Sequence, residues 1–242
     1  MINNNLIKLN QTKIIIALDY SNKKKAMNLI KLLDPKIYRL KIGKEMFFLF
    51  GIRFIKEIIY LGFKIFLDLK LHDIPNTVSR AIKSLSKLNL WMISIHSLGG
   101  KDMMKAAKLA ISYFKNKPPL LISITILSSL SKLDLKSIGM YDSINKNVLR
   151  LSKLSQKIGL DGVVCPGSSV KYIKKFLNNK FKIITPGIRK KNNSLNDQKN
   201  VITPIEAAYF KVNYIVLGRI ITLSKDPIKS LKKISLSIKK KI

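Results

Sequence analysis

The sequence predicts a (β/α)8 barrel built as one domain over residues 1–242, and three observations carry that expectation. Short runs rich in Ile, Val and Leu recur eight times. They are apolar on both faces, as buried parallel strands are. Amphipathic segments separate most of them, and a chain of 242 residues matches eight β-α units closely.

In chain order the strands are expected at "KIIIALD" (13–19), "YRLKIG" (38–43), "KIFLDLK" (64–70) and "WMISIHS" (91–97). Four more are expected at "LLISITIL" (120–127), "GVVCPG" (162–167), "KIITPGI" (182–188) and "YIVLGR" (214–219). Helical periodicity is clearest in "KKAMNLIKLL" (24–33), "KEMFFLFGIRFIKEIIYLG" (44–62) and "NTVSRAIKSLSKL" (76–88). An open doubly wound sheet is the competing architecture. No G-x-G-x-x-G follows the first strand, which counts against it. No linker or break in composition divides the chain.

Composition excludes several classes. A hydrophobic content of 47% argues against disorder. No apolar run approaches the roughly 18 residues of a membrane span. The opening "MINNNLIKLN" lacks the apolar core and cleavage site of a signal peptide. Cys165 is the only cysteine, so no intrachain disulfide can form, and a reducing cytoplasm is the expected location. His72 and His96 have no partners at metal-ligand spacing, so no metal site is expected.

The formal charge of +33 first suggests a polyanion partner. Yet the lysines are scattered through "SNKKK", "RKK" and "SIKKKI", with no basic block or tail. Only six of 46 basic residues are arginine. Abundant Lys, Asn and Ile is what codon usage in an AT-rich genome produces. Compositional drift is therefore the preferred reading, and no specific nucleic-acid partner is expected.

In such a barrel, chemistry gathers where strands end and βα loops begin. Asp19 ends the first predicted strand, and Lys41 lies near the end of the second. Asp68 and Lys70 close the third and His96 the fourth. Ser128 follows the fifth, Pro186, Gly187 and Arg189 the seventh, and Gly218 with Arg219 the eighth. Alternation places Phe66, Asp68 and Lys70 on one strand face. Two readings stay open there: a solvated ion pair, or an array that holds a protonated lysine as general acid. Lys41, inside an apolar strand, favours function. Asp19 could serve a ribose hydroxyl or cap a helix. Pro75 disfavours helix at Ile74, so Asp73 and Ile74 should project as a turn within reach of a neighbouring subunit.

Gly218 and Arg219 suit an anion: glycine admits close backbone approach, and arginine offers a bidentate fork. The polar stretch "RKKNNSLNDQKN" (189–200) is long for a βα loop and reads either as surface loop or as lid. His96 is expected to be a hydrogen-bonded barrel residue, and neither Cys165 nor His72 acquires a role from this pattern.

Taken in order, "ALDY", "LKIGKEMF", "DLKLHDIPNT", "DGVVC", "TPGIR", "DQKN" and "LGR" resemble the orotidine 5'-phosphate decarboxylase family, bacterial branch, over nearly the whole chain. Related sugar-phosphate decarboxylases and hexulose-phosphate synthases share D-x-K-x-x-D, lack the following I-P-N-T and use Mg²⁺. The resemblance implies decarboxylation of orotidine 5'-phosphate to uridine 5'-phosphate without metal or organic cofactor. It makes Lys41, Asp68, Lys70 and Asp73 catalytic, with Lys70 donating the proton to pyrimidine carbon 6. Substrate binding falls to Asp19, Lys41, the whole stretch Asp68 to Thr77 (Leu69, Leu71, His72, Ile74, Pro75 and Asn76 included), Ser128, Arg189, Gln198, Gly218 and Arg219. It also implies a homodimer, with Asp73, Ile74 and Thr77 entering the partner's site. Ser128 stands where threonine is commoner, and Ile220 where proline is usual.

Overall fold

Eight apolar runs close on themselves because each strand is buried on both faces, against the barrel interior and against a surrounding helix layer. A computed structural model describes residues 12–115, 117–188 and 201–239. Its strands are β1 (Lys13–Ala17), β2 (Arg39–Gly43), β3 (Ile65–Leu71), β4 (Met92–His96), β5 (Leu120–Ile124), β6 (Gly162–Val164), β7 (Lys182–Thr185) and β8 (Tyr214–Leu217). All neighbours pair in parallel, and β8 returns to β1 with Lys13 opposite Tyr214, giving a closed (β/α)8 barrel. No helix among the described residues is long and apolar enough to cross a membrane.

Most strands stop earlier than their apolar runs suggested, by three residues in β5 (Ile124), β6 (Val164) and β7 (Thr185), whereas β2 ends as expected at Gly43 and β3 runs on to Leu71. Leu18 and Thr125 still donate one hydrogen bond each to the next strand, at the Lys41 and Val164 carbonyls, and after β5 the apolar run continues through Leu127 without ladder pairing. The helices α1 (Lys23–Lys31), α2 (Lys44–Tyr60) and α3 (Pro75–Ser84) fall where periodicity put them. Gly51 interrupts α2 with φ 60°, a left-handed conformation that glycine adopts without Cβ strain. Asn22 caps α1 by accepting from the Lys25 N–H. Pro75 occupies the first turn of α3, where a missing N–H costs nothing.

The remaining helices are α4 (Gly100–Ala110), α5 (Lys132–Ser137), α6 (Ile144–Ile158), α7 (Val170–Ile173), α8 (Pro204–Tyr209), α9 (Arg219–Thr222) and α10 (Pro227–Lys239). Reciprocal capping boxes start α5 (Ser131 with Asp134) and α8 (Thr203 with Glu206).

Two apolar layers result. The larger lies between strands and helices and includes Ile16, Ile42, Phe54, Leu67 and Ile93. The smaller fills the barrel with Ile15, Ala17, Phe66, Met92, Ile122, Ile184, Tyr214 and Val216. At its N-terminal end Trp91 meets Tyr214 edge-on at 5.1 Å, under the Arg39 guanidinium at 5.4 Å. The polar end is the other one.

Gly162 of β6 sits in register with Lys182 of β7, and a Cβ at Gly162 would collide with the Lys182 carbonyl. Gly162→Ala is expected to lower Tm by roughly 2–10 °C, measured by thermal unfolding, because backbone cannot swing aside as a side chain can.

Candidate active site

The strands' C-terminal ends and the loops after them enclose a cavity of about 590 Å³. Ala17, Phe66 and Val216 form its apolar floor, continuous with the inner barrel layer. Ile126 and Leu127 line a side wall. Into this cavity the loop after β1 delivers Asp19, β2 Lys41 and β3 both Asp68 and Lys70. Ser128 enters from the loop after β5, and Gly218 with Arg219 from the end of β8.

Four of these groups alternate in charge. Lys70 Nζ lies 2.8 Å from Asp68 Oδ2, and Lys41 Nζ lies 3.5 Å from that same oxygen. Lys41 also stands 3.5 Å from Asp19 Oδ1. Burial is graded: the Asp68 side chain is 8% exposed and that of Lys41 13%, against 33% for Lys70 and 50% for Asp19. Burial alone would push the Asp68 carboxyl up. The charges of Lys41 and Lys70, with hydrogen bonds from Lys70 and Ser94, outweigh it and hold the carboxyl below its ordinary value. Burial likewise works to neutralise Lys41, but Asp68 and Asp19 prevail and keep its ammonium above the usual lysine range. Asp68 and Lys41 therefore stay ionised although both are buried.

The local backbone explains how Asp68 and Lys70 both reach the cavity. Leu67 pairs with Ile93, but the next partners on β3 and β4 are Leu71 and Ile95. Residues 68–70 thus face Ser94 alone, as a bulge, and Lys70 adopts φ 51°. The in-and-out alternation nevertheless continues across it: Phe66, Asp68 and Lys70 line the cavity while Leu67, Leu69 and Leu71 face the outer core, as the pleat predicts.

Leu69 and Leu71 pack against the outer core and do not line the cavity of their own chain. His72 leaves it too, stacking on His96 with ring centroids 5.2 Å apart. Asp73, Ile74, Pro75, Asn76 and Thr77 are exposed, Ile74 by 66%, and none lines that cavity either. They form the N-terminal end of α3, pointing outward. Asp19 does not cap α1, since Asn22 does. Arg189, Gln198 and the segment 189–200 lie outside the described residues.

His96 accepts the Leu98 N–H at Nδ1, 3.3 Å away, as a barrel histidine should. Burial, then the charges of His72, Lys70 and Lys44, hold its pKa down to about 4. Cys165 lines the cavity but is buried, and burial pushes its thiol up to about 12. It is a neutral wall residue. Among the described residues no group of three or more His, Cys, Asp or Glu is placed to hold a metal ion.

Sequence reasoning missed Ser94. It is fully buried in β4, donates from Oγ to Asp68 Oδ1 at 2.8 Å, and accepts the Lys70 backbone N–H at 2.9 Å. The available signal was a hydroxyl in the otherwise apolar "WMISI", on the inward-facing positions with Met92.

Comparison with known proteins agrees with this geometry. The model of the orotidine 5'-phosphate decarboxylase / HUMPS family matches residues 12–234. The chain is 57% identical over 222 residues to an orotidine 5'-phosphate decarboxylase of Buchnera aphidicola subsp. Schizaphis graminum, covering 92% of this chain and 94% of that one. It is 44% identical over 226 residues to a protein of the same name from Pseudoalteromonas translucida, covering 93% and 97%. The crystal structure of orotidine 5'-phosphate decarboxylase from Lactobacillus acidophilus superposes with a TM-score of 0.83 at 35% identity, over 93% of this chain and 98% of that chain. With its closed barrel, its alternating lysine–aspartate array and a family match over nearly its full length, the chain belongs to the orotidine 5'-phosphate decarboxylase / HUMPS family.

Proposed function

We propose that the chain converts orotidine 5'-phosphate to uridine 5'-phosphate and CO₂, as a cytoplasmic homodimer that needs neither metal nor organic cofactor. The observation that carries this reading is the alternating Lys41–Asp68–Lys70 array above an apolar floor. Breaking the carbon 6–carboxylate bond leaves its electron pair on a vinylic carbon, and no cofactor takes it up. Stabilisation must come from fixed charge in a dry site, where charge interactions are strongest. The Lys70 ammonium faces that carbon, stabilises the developing carbanion and then transfers a proton to it. Lys70 is left neutral and regains a proton from water. Asp68 holds Lys70 in place, and Lys41 keeps Asp68 ionised.

The rest of the cavity suits the rest of the substrate. Asp19 is assigned to ribose hydroxyls, Ser128 to the pyrimidine edge, and Gly218 and Arg219 to phosphate, joined by Arg189 and Gln198. Phosphate lies far from carbon 6, so its binding energy can serve positioning at the reacting carbon. The exposed Asp73, Ile74 and Thr77 are assigned to the partner subunit's cavity, which accounts for side chains that point away from their own.

The test is loss of substrate absorbance on incubation with orotidine 5'-phosphate in EDTA. Turnover is expected; none by the wild-type chain overturns the reading, and turnover only with added Mg²⁺ favours a sugar-phosphate relative. The shared site is tested by mixing two inactive variants, Lys70→Ala and Asp73→Ala. Subunit exchange should restore about a quarter of wild-type activity, since half the random dimers are mixed and each carries one intact site. No recovery after demonstrated exchange refutes the shared site.

A further inference from the structure

We propose that Ser94 is a positioning residue for the reaction, the single group that sets both the carboxylate of Asp68 and the backbone of the proton-donating Lys70. The inference rests on the decarboxylase reading and deepens it. Three residues of β3 face one of β4 at the bulge, so the Lys70 N–H loses its ladder partner. A buried unpaired N–H is costly, and at this position the Ser94 hydroxyl replaces the missing carbonyl.

The direction of both hydrogen bonds follows from chemistry. An ionised carboxylate only accepts and an N–H only donates, so the serine proton goes to Asp68 Oδ1 and its lone pair receives Lys70. Because Ser94 occupies Oδ1, the carboxylate cannot rotate, and Oδ2 is left to both lysines: Lys70 at 2.8 Å and Lys41 at 3.5 Å. The same hydroxyl anchors Lys70 in its left-handed conformation at φ 51°, which for a non-glycine residue persists only when its surroundings enforce it. Alanine would release the carboxylate and the strained backbone together. Ser94 touches neither the cavity nor the reacting carbon, so it acts through its neighbours.

The test compares Ser94→Ala, Ser94→Thr and wild type as full chains. A displacement of about 1 Å at reacting groups can cost about 10²-fold, so kcat of Ser94→Ala should fall by roughly that factor while KM changes by less than about threefold. Ser94→Thr, which retains the hydroxyl, should recover most of the loss. Amide exchange at Lys70 should quicken at least about tenfold in Ser94→Ala and not in Ser94→Thr. If Ser94→Ala does not fold, Ser94→Cys, similar in size but a weak hydrogen-bonding partner, should show the same pattern at about tenfold in kcat. Unchanged kcat in the alanine variant, or equal losses in alanine and threonine variants, overturns the proposal and leaves the decarboxylase reading standing. If the wild type lacks turnover, that reading fails, and Lys70 amide exchange alone still decides whether Ser94 anchors the bulge.

Discussion

Lys70→Ala is expected to lower kcat for orotidine 5'-phosphate by roughly 10⁴-fold or more, because it removes general-acid and electrostatic contributions at once. Lys70 lines the cavity with its ammonium held 2.8 Å from Asp68, so its position is fixed before substrate arrives. The variant should still fold, since Lys41 remains 3.5 Å from Asp68 to offset the buried carboxylate. Lys70→Arg separates the two contributions. Arginine keeps the positive charge but does not release a proton near neutral pH. A variant as slow as alanine assigns the effect mainly to proton donation, whereas substantial recovery assigns it to charge. Steady-state turnover measures both variants, and full activity in Lys70→Ala would refute the assigned mechanism.

Asp68→Asn should produce the second large effect, a fall in kcat of roughly 10³-fold, with a loss of stability that depends on pH. The amide carries no charge, so Lys41 and Lys70 face each other with only the half-exposed Asp19 to balance Lys41. Removing one partner of a buried pair costs about 3–5 kcal/mol, and the remaining Asp19 contact puts this variant near the lower figure. The sign with pH follows from the depressed Asp68 value. A carboxyl held below its ordinary value adds stability that is present above about pH 4 and is lost as pH falls through the folded value. The difference in Tm between wild type and Asp68→Asn should therefore be largest near neutrality and shrink on acidification. The raised Lys41 behaves oppositely: its contribution is present below the ordinary lysine value and is lost as pH rises through the higher folded one. A Tm difference independent of pH would show that charge is not what Asp68 contributes.

Much of this was legible in the chain. Parallel strands buried on both faces appear as unbroken Ile, Val and Leu runs, so "KIIIA" and "LLISI" announce themselves. The polar residue that ends such a run marks the mouth of a barrel, which is how Asp19, Lys41, Asp68 and Arg219 could be gathered from four separate segments. Strand ends were less legible, because hydrogen bonding and apolarity do not stop at the same residue.

Period and polarity in the amino-acid sequence by themselves determined the barrel, the rim on which chemistry sits and the charged residues on that rim, because one-dimensional pattern encodes which face is buried. The tertiary structure alone decided the rest. It placed Ser94 opposite three residues of β3, turned Lys70 into a left-handed conformation, and stacked His72 on His96 away from the cavity that Asp68 and Lys70 share. The physical reason is register. A bulge arises from how two strands pair across a separation of 24 residues between Lys70 and Ser94, and no local pattern in either strand records it.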